Sequence, residues 1–121
     1  MEWDQGTRIA TLRSGADGTP DRATAEAFVA ALAAWARRPA HERFGLLVDA
    51  SSGRHGDSGW RSVWAAFIRE HREMSVAIFE ANWLQLATVR LFRIGVGLHV
   101  RAFPDHAAAR DWLLRTIVSC P

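Results

Sequence analysis

The residues of this sequence that could do chemistry gather between positions 49 and 59. Asp49 ends an apolar run that begins at Phe44, and Asp57-Ser58-Gly59 opens a strongly periodic helical segment. A carboxylate at the end of a buried strand can be a functional acid, or it can accept hydrogen bonds from N–H groups of the following loop. A serine at a helix start can carry phosphate or bind an anion, because the unpaired N–H groups there carry partial positive charge. The alternative is that Asp57 or Ser58 only caps the helix.

The loop between these residues is polar and completes the candidate site. We predict a partner-binding or phosphoacceptor-like site made of Asp49, Ser51, Ser52, Arg54, Asp57, Ser58 and Gly59. His55 lies in the same loop, so a hydrolytic set of Ser58, His55 and Asp49 can also be written. Since no Gly-x-Ser-x-Gly pattern accompanies that set, the sequence favours a non-catalytic site over an enzyme.

The histidines and the cysteine do not form a metal-binding pattern. The five histidines show neither His-x-His nor i,i+4 spacing, and the single cysteine, Cys120, lies at the end of the chain. We therefore predict no metal and no cofactor. One cysteine also excludes a disulfide within the chain.

Length and composition indicate one domain, spanning residues 1–121. A chain of 121 residues with 49% hydrophobic residues can bury a core of its own. No apolar run is long enough to span a bilayer, so we expect a cytoplasmic protein without a transmembrane segment. All fifteen basic residues are arginines scattered among acidic residues, with a net charge of +2, and this pattern does not favour nucleic acid as a partner.

The spacing of apolar residues predicts an α/β fold with the element order ββαβαβαβα. We predict strands at 1–4, 7–13, 44–48, 75–81 and 98–103, with a tight turn at Gln5-Gly6 in which Gly6 supplies the unusual backbone angle. We predict a first helix that Asp21 caps and Pro39 stops, helices across 60–71 and 83–94, and a last helix that Asp105 caps. Strands separated by helices form a single-layer, mostly parallel sheet, here with an antiparallel N-terminal strand. The segment ending at Asp49 should lie in mid-sheet and deliver its loop to solvent.

The predicted helix at 83–94 is apolar over more than one face. Its apolar positions include Trp83, Leu86, Leu91 and Phe92, whereas only Gln85, Thr88, Arg90 and Arg93 are polar. A helix of this kind either packs on two sides or presents a face to another molecule. We therefore expect a homodimer interface or a surface for an apolar ligand at these four residues.

The order of elements resembles the STAS fold, in its SpoIIAA-like (anti-sigma-factor antagonist-like) branch. The resemblance is carried by Leu47-Val48-Asp49 on a central strand, by Asp57-Ser58-Gly59 and by the closing segment from Val100 to Leu113. In that family an Asp-Ser-Ser-Gly motif at this helix start carries a serine that a partner kinase phosphorylates. The present chain has one serine where that motif has two.

Two functions follow from these features. The resemblance implies a regulatory, non-catalytic module whose protein partner docks on the loop 51–58 and the following helix. The alternative is a binder or carrier of an apolar small molecule or lipid that uses the surface of the segment 83–94. The resemblance also supports this alternative, because the SpoIIAA-like branch is related in shape to the lipid-binding CRAL-TRIO fold.

Overall fold

The structure of the chain is a computed structural model that describes residues 1–13, 21–37, 42–50, 57–80 and 100–118. The described strands are β1 (Glu2–Asp4), β2 (Ile9–Arg13), β3 (Phe44–Asp49), β4 (Met74–Phe79) and β5 (Val100–Phe103). The described helices are α1 (Arg22–Ala36), α2 (Ser58–Glu70) and α3 (His106–Val118). The predicted helix at 83–94 lies outside the described residues.

The five described strands form one sheet in the order β1-β2-β3-β4-β5. β1 pairs antiparallel with β2, and every other pair is parallel. β3 is therefore the central strand, with Leu47 opposite Thr11 on one side and Ala77 on the other. The predicted α/β class, the mostly parallel sheet and the antiparallel N-terminal strand are confirmed.

One face of the sheet is covered by α1 and α2. Along β3, Phe44 and Leu46 point to this face because alternate residues of a strand point the same way. Leu32 of α1 and Trp64 of α2 pack in the same core. Both helices present apolar residues three and four positions apart, which is the spacing that places them on one side of a helix.

The other face of the sheet is covered by α3. Leu47 and Ala77 of the sheet pack with Ala109 and Leu113 of α3. A Cβ atom on Gly45 would lie 3.0 Å from Leu113 Cδ2, so glycine allows the helix to approach the strand closely. α3 begins where the sequence predicts, because the Asp105 carboxylate accepts a hydrogen bond of 2.8 Å from the Ala108 N–H.

The turn between β1 and β2 differs from the sequence prediction in its backbone. The Asp4 carboxylate accepts the Gly6 N–H at 2.8 Å, but the positive φ falls on Arg8, at 58°, and not on Gly6. The Arg8 N–H also donates to the Asp4 carbonyl at 2.7 Å. The left-handed residue therefore stands just before β2 and turns the chain into that strand.

No helix among the described residues is long and apolar enough to cross a membrane.

Candidate functional site

The start of α2 is capped by Asp57. Its carboxylate accepts the Trp60 N–H at 2.8 Å, and its carbonyl accepts the Arg61 N–H at 3.1 Å. Ser58 is the first residue of the helix and is exposed, and its hydroxyl makes no hydrogen bond with a described residue. Asp57 therefore caps the helix, and Ser58 beside it is exposed.

The start of α1 lies against the start of α2. A Cβ atom placed on Gly59 would be 2.7 Å from the Cβ of Arg22 and 3.3 Å from its Nε atom. Arg22 is the first residue of α1, and its guanidinium forms an exposed ion pair of 3.8 Å with Glu26. The absence of a side chain at Gly59 therefore allows two helix N-termini and an arginine to meet next to Ser58.

The first turns of α1 and α2, with Arg22 and Ser58, form a corner of the structure. Its electrostatics combine the positive ends of two helices with the carboxylates that cap them. Asp21 caps α1 by accepting the Thr24 N–H at 2.9 Å. Hydrogen bonds from the Thr24 backbone and hydroxyl lower the pKa of Asp21 below its ordinary value. The N–H groups of two first turns and the Arg22 guanidinium favour negative charge here. The corner suits a charged group of a binding partner, since it is exposed and not an enclosed reaction site.

Asp49 belongs to a different part of the sheet edge. It ends β3, half-buried, with Arg13 of β2 and Phe79 of β4 as its neighbours in the register. Alternate residues of β3 point to opposite faces of the sheet. The Asp49 side chain therefore points to the same face as Leu47, which α3 covers, whereas α2 covers the opposite face. The alternation along β3 therefore directs the Asp49 side chain away from the face that α2 covers, and it does not support a hydrolytic set that contains both Asp49 and Ser58.

The other candidate residues lie outside the described residues. These are Ser51, Ser52, Arg54 and His55 of the loop, and Trp83, Leu86, Leu91 and Phe92 of the apolar segment. Their proposed roles stay predictions. Within the part of the chain that the structure describes, no group of three His, Cys, Asp or Glu side chains could hold a metal ion.

A groove between α1 and α2 was not foreseen from the sequence. This α1–α2 groove is an open surface feature with a volume of about 290 Å³, and it is lined by Arg22, Val29, Ser62, Val63, Ala66, Phe67 and Glu70. A sequence signal for it exists, because Ser62, Ala66 and Glu70 follow one another at helical spacing along the side of α2. Which helix lies beside that face depends on tertiary packing and could not be read from the spacing.

The pairing of Arg22 with the start of α2 was also missed. Arg22 and Gly59 are separated by 37 positions in the sequence, and no local pattern connects them.

Comparison of the chain with protein-family models, with curated proteins and with solved structures gave no match.

Proposed function

We propose that this chain is a non-catalytic, regulatory protein-interaction module of STAS/SpoIIAA-like type. Its partner docks at the loop 51–58 and the first turns of α2, where Ser58 is the control point. The observation that carries the proposal is that Ser58 is exposed at the start of α2 while Asp57, and not Ser58, caps the helix.

The surroundings of Ser58 support a role in recognition. The neighbouring Gly59 is the point at which Arg22 and the start of α1 approach α2. The N–H groups at two helix starts and one guanidinium provide donors for a carboxylate or phosphate of a partner. A phosphate on Ser58 would place about two negative charges in the same corner and would compete with that partner group.

The resemblance stated from the sequence agrees with this location. In SpoIIAA-like antagonists the phosphorylated serine stands at the start of the helix that follows a central strand. Here β3 is the central described strand, and α2 is the next described helix along the chain. The following experiment tests the regulatory role of Ser58.

The test is capture of the partner from the native cell by Ser58 variants of the tagged chain. We expect Ser58→Ala to retain the partner captured by the wild type. Ser58→Asp should lose it, because the added carboxylate occupies the anion-favouring corner. Intact mass measurement of protein from the same cells should show a fraction that is heavier by one phosphate, located at Ser58.

Ala107→Asp is the matched control for this substitution. Ala107 is exposed in the first turn of α3, on the other face of the sheet, so it receives the same charge at a similar helix position. We expect that variant to capture the partner normally. Equal capture by wild type, Ser58→Asp and Ala107→Asp, with no phosphate on Ser58, would refute the proposed function.

A further inference from the structure

The α1–α2 groove runs from the corner at Arg22 along the outside of both helices. Its floor is apolar, with Val29 on α1 and with Val63 and Phe67 on α2. Its rim on α2 is built of small side chains, Ser62 and Ala66, both of which are exposed. Small rim residues and an apolar floor are the conditions under which another helix can lie close to a pair of helices.

The two ends of the groove carry opposite charges. Arg22 stands at the end where α1 and α2 begin, and Glu70 is the last residue of α2. The helix dipoles have the same polarity, positive at the Arg22 end and negative at the Glu70 end. The ion pair of Arg22 with Glu26 is exposed, and such pairs contribute little, so Arg22 can exchange this partner at small cost.

We infer that the α1–α2 groove binds an amphipathic helix of the partner protein, antiparallel to α1 and α2. In that orientation the partner helix places its positive N-terminus at Glu70 and its negative C-terminus at Arg22. The lining residues of α2, from Ser62 to Glu70, extend over roughly 12 Å at 1.5 Å per residue, so the docked segment has at least about two turns. This inference rests on the proposed function, because the groove begins at the corner where the partner docks.

The partner helix is defined by three chemical properties. It presents apolar residues at positions i, i+3 or i+4, and i+7 to the floor at Val63 and Phe67. It carries arginine or lysine in its first turn, facing Glu70. It carries aspartate or glutamate in its last turn, facing Arg22.

A displayed library of helical peptides tests the orientation without knowledge of the partner. The library fixes apolar residues at i, i+4 and i+7, leaves the other positions random, and is selected against the full chain. We expect the selected peptides to be basic in the first turn and acidic in the last turn. Selection against the double variant Arg22→Glu/Glu70→Arg should reverse that order.

Ala66→Glu blocks the groove and has a matched control. The variant places a carboxylate over the apolar floor, and we expect it to weaken the selected peptides at least about tenfold. Ala30→Glu makes the same exchange at an exposed position of α1 that does not line the groove, and should leave binding unchanged. Circular dichroism of both variants checks that each remains folded.

Several outcomes would overturn the inference. The first is that no peptide is selected. The second is that the wild type and the double variant Arg22→Glu/Glu70→Arg select peptides with the same order of basic and acidic turns. The third is that Ala66→Glu does not weaken peptide binding. Dissociation of a homodimer by Ala66→Glu would assign the groove to a second copy of the chain instead. Since partner capture by Ser58 variants does not depend on the library, the proposed function can stand if the groove inference fails.

Discussion

Arg8 is a buried charged residue that connects the end of α1 to the residue before β3. Its side chain is 8% exposed, and its Nη2 and Nε atoms donate to the carbonyls of Ala36 at 3.0 Å and Arg43 at 3.2 Å. The last carbonyls of a helix have no partner within the helix, and a cation is favourable at that end. Arg8 therefore caps the C-terminus of α1, and it does so from a backbone with positive φ that is costly for a residue other than glycine.

We predict that Arg8→Lys lowers the free energy of unfolding by about 1.5–3 kcal/mol. A lysine ammonium cannot donate in the planar, divergent geometry by which the guanidinium reaches carbonyls of two segments. Urea unfolding followed by tryptophan fluorescence measures the change. Arg13→Lys, at the exposed end of β2, is the control and should shift the free energy by less than about 0.5 kcal/mol. Equal shifts for the two variants would contradict the capping role of Arg8.

The cap of α1 gives a pH-dependent contribution to stability. The pKa of Asp21 is lowered in the folded state by hydrogen bonds from Thr24, so the contribution is present above the unfolded pKa of about 3.9. It is lost as the pH falls through the lower folded-state pKa. We expect Asp21→Asn, which keeps a capping acceptor, to flatten the curve of unfolding free energy against pH between about pH 4 and pH 2. A variant curve parallel to that of the wild type in this range would show that the cap does not titrate.

Local residue patterns predicted the caps but not Arg8. Asp21, Asp57 and Asp105 each accept an N–H three positions ahead, and a contact over three positions can be read from the sequence. The carbonyls that Arg8 contacts belong to residues 28 and 35 positions away. The prediction that Gly6 supplies the unusual backbone angle was wrong, because the Asp4 carboxylate holds the turn and the positive φ falls two residues later.

At the scale of elements, the contact between Gly59 and Arg22 sets how closely α1 and α2 approach. An alanine in place of a glycine in a helix ordinarily stabilises by up to about 1 kcal/mol. Here the new Cβ would lie 2.7 Å from the Cβ of Arg22, an atom fixed to the backbone, so the helices must move apart. We predict that Gly59→Ala destabilises the protein by about 1–3 kcal/mol, as overpacking does. Chemical unfolding of the variant measures the effect.

A double-mutant cycle identifies the cause of that loss. Arg22→Gly removes the clashing Cβ at the first position of α1, where glycine costs less than it does in the helix interior. We expect Gly59→Ala to cost at least about 1 kcal/mol less in the Arg22→Gly background than in the wild type. Additive effects of the two substitutions would mean that the helices do not meet at this point.

The elements themselves could be predicted because their signals are periodic and local. The stripe of Trp60, Val63, Trp64 and Phe67 predicted α2, and the run from Phe44 to Asp49 predicted β3. The face of the sheet to which the Asp49 side chain points, and therefore its position relative to Ser58, could not be predicted from these local signals. Asp49 ends β3 and Ser58 begins α2, so the two residues are close in the sequence. The side on which a strand residue emerges depends on register, however, and one residue of shift reverses it.

At the scale of the whole molecule, the sheet separates two cores. Phe44 and Leu46 point to the core under α1 and α2, whereas Leu47 points to the core under α3. β2, β3 and β4 each contribute residues to both cores, so the packing of one face is coupled to the packing of the other through these three strands. The prediction that the segment ending at Asp49 lies between parallel neighbours is confirmed by its pairing with β2 and β4. A short hydrophobic run between two predicted helices indicates a buried parallel strand, and this can be predicted without knowing which strands pair with it.

The coupling of the two cores through β2, β3 and β4 leads to a prediction about cooperativity. Leu32 of α1 and Leu113 of α3 are both fully buried, on opposite faces of the sheet. Leu32→Ala and Leu113→Ala should each lower the free energy of unfolding by about 2–5 kcal/mol. Because one domain is predicted, far-ultraviolet circular dichroism and tryptophan fluorescence should give the same midpoint for each variant. If Leu113→Ala separated the two transitions, α3 would unfold independently of α1 and α2, and the single-domain prediction would be wrong.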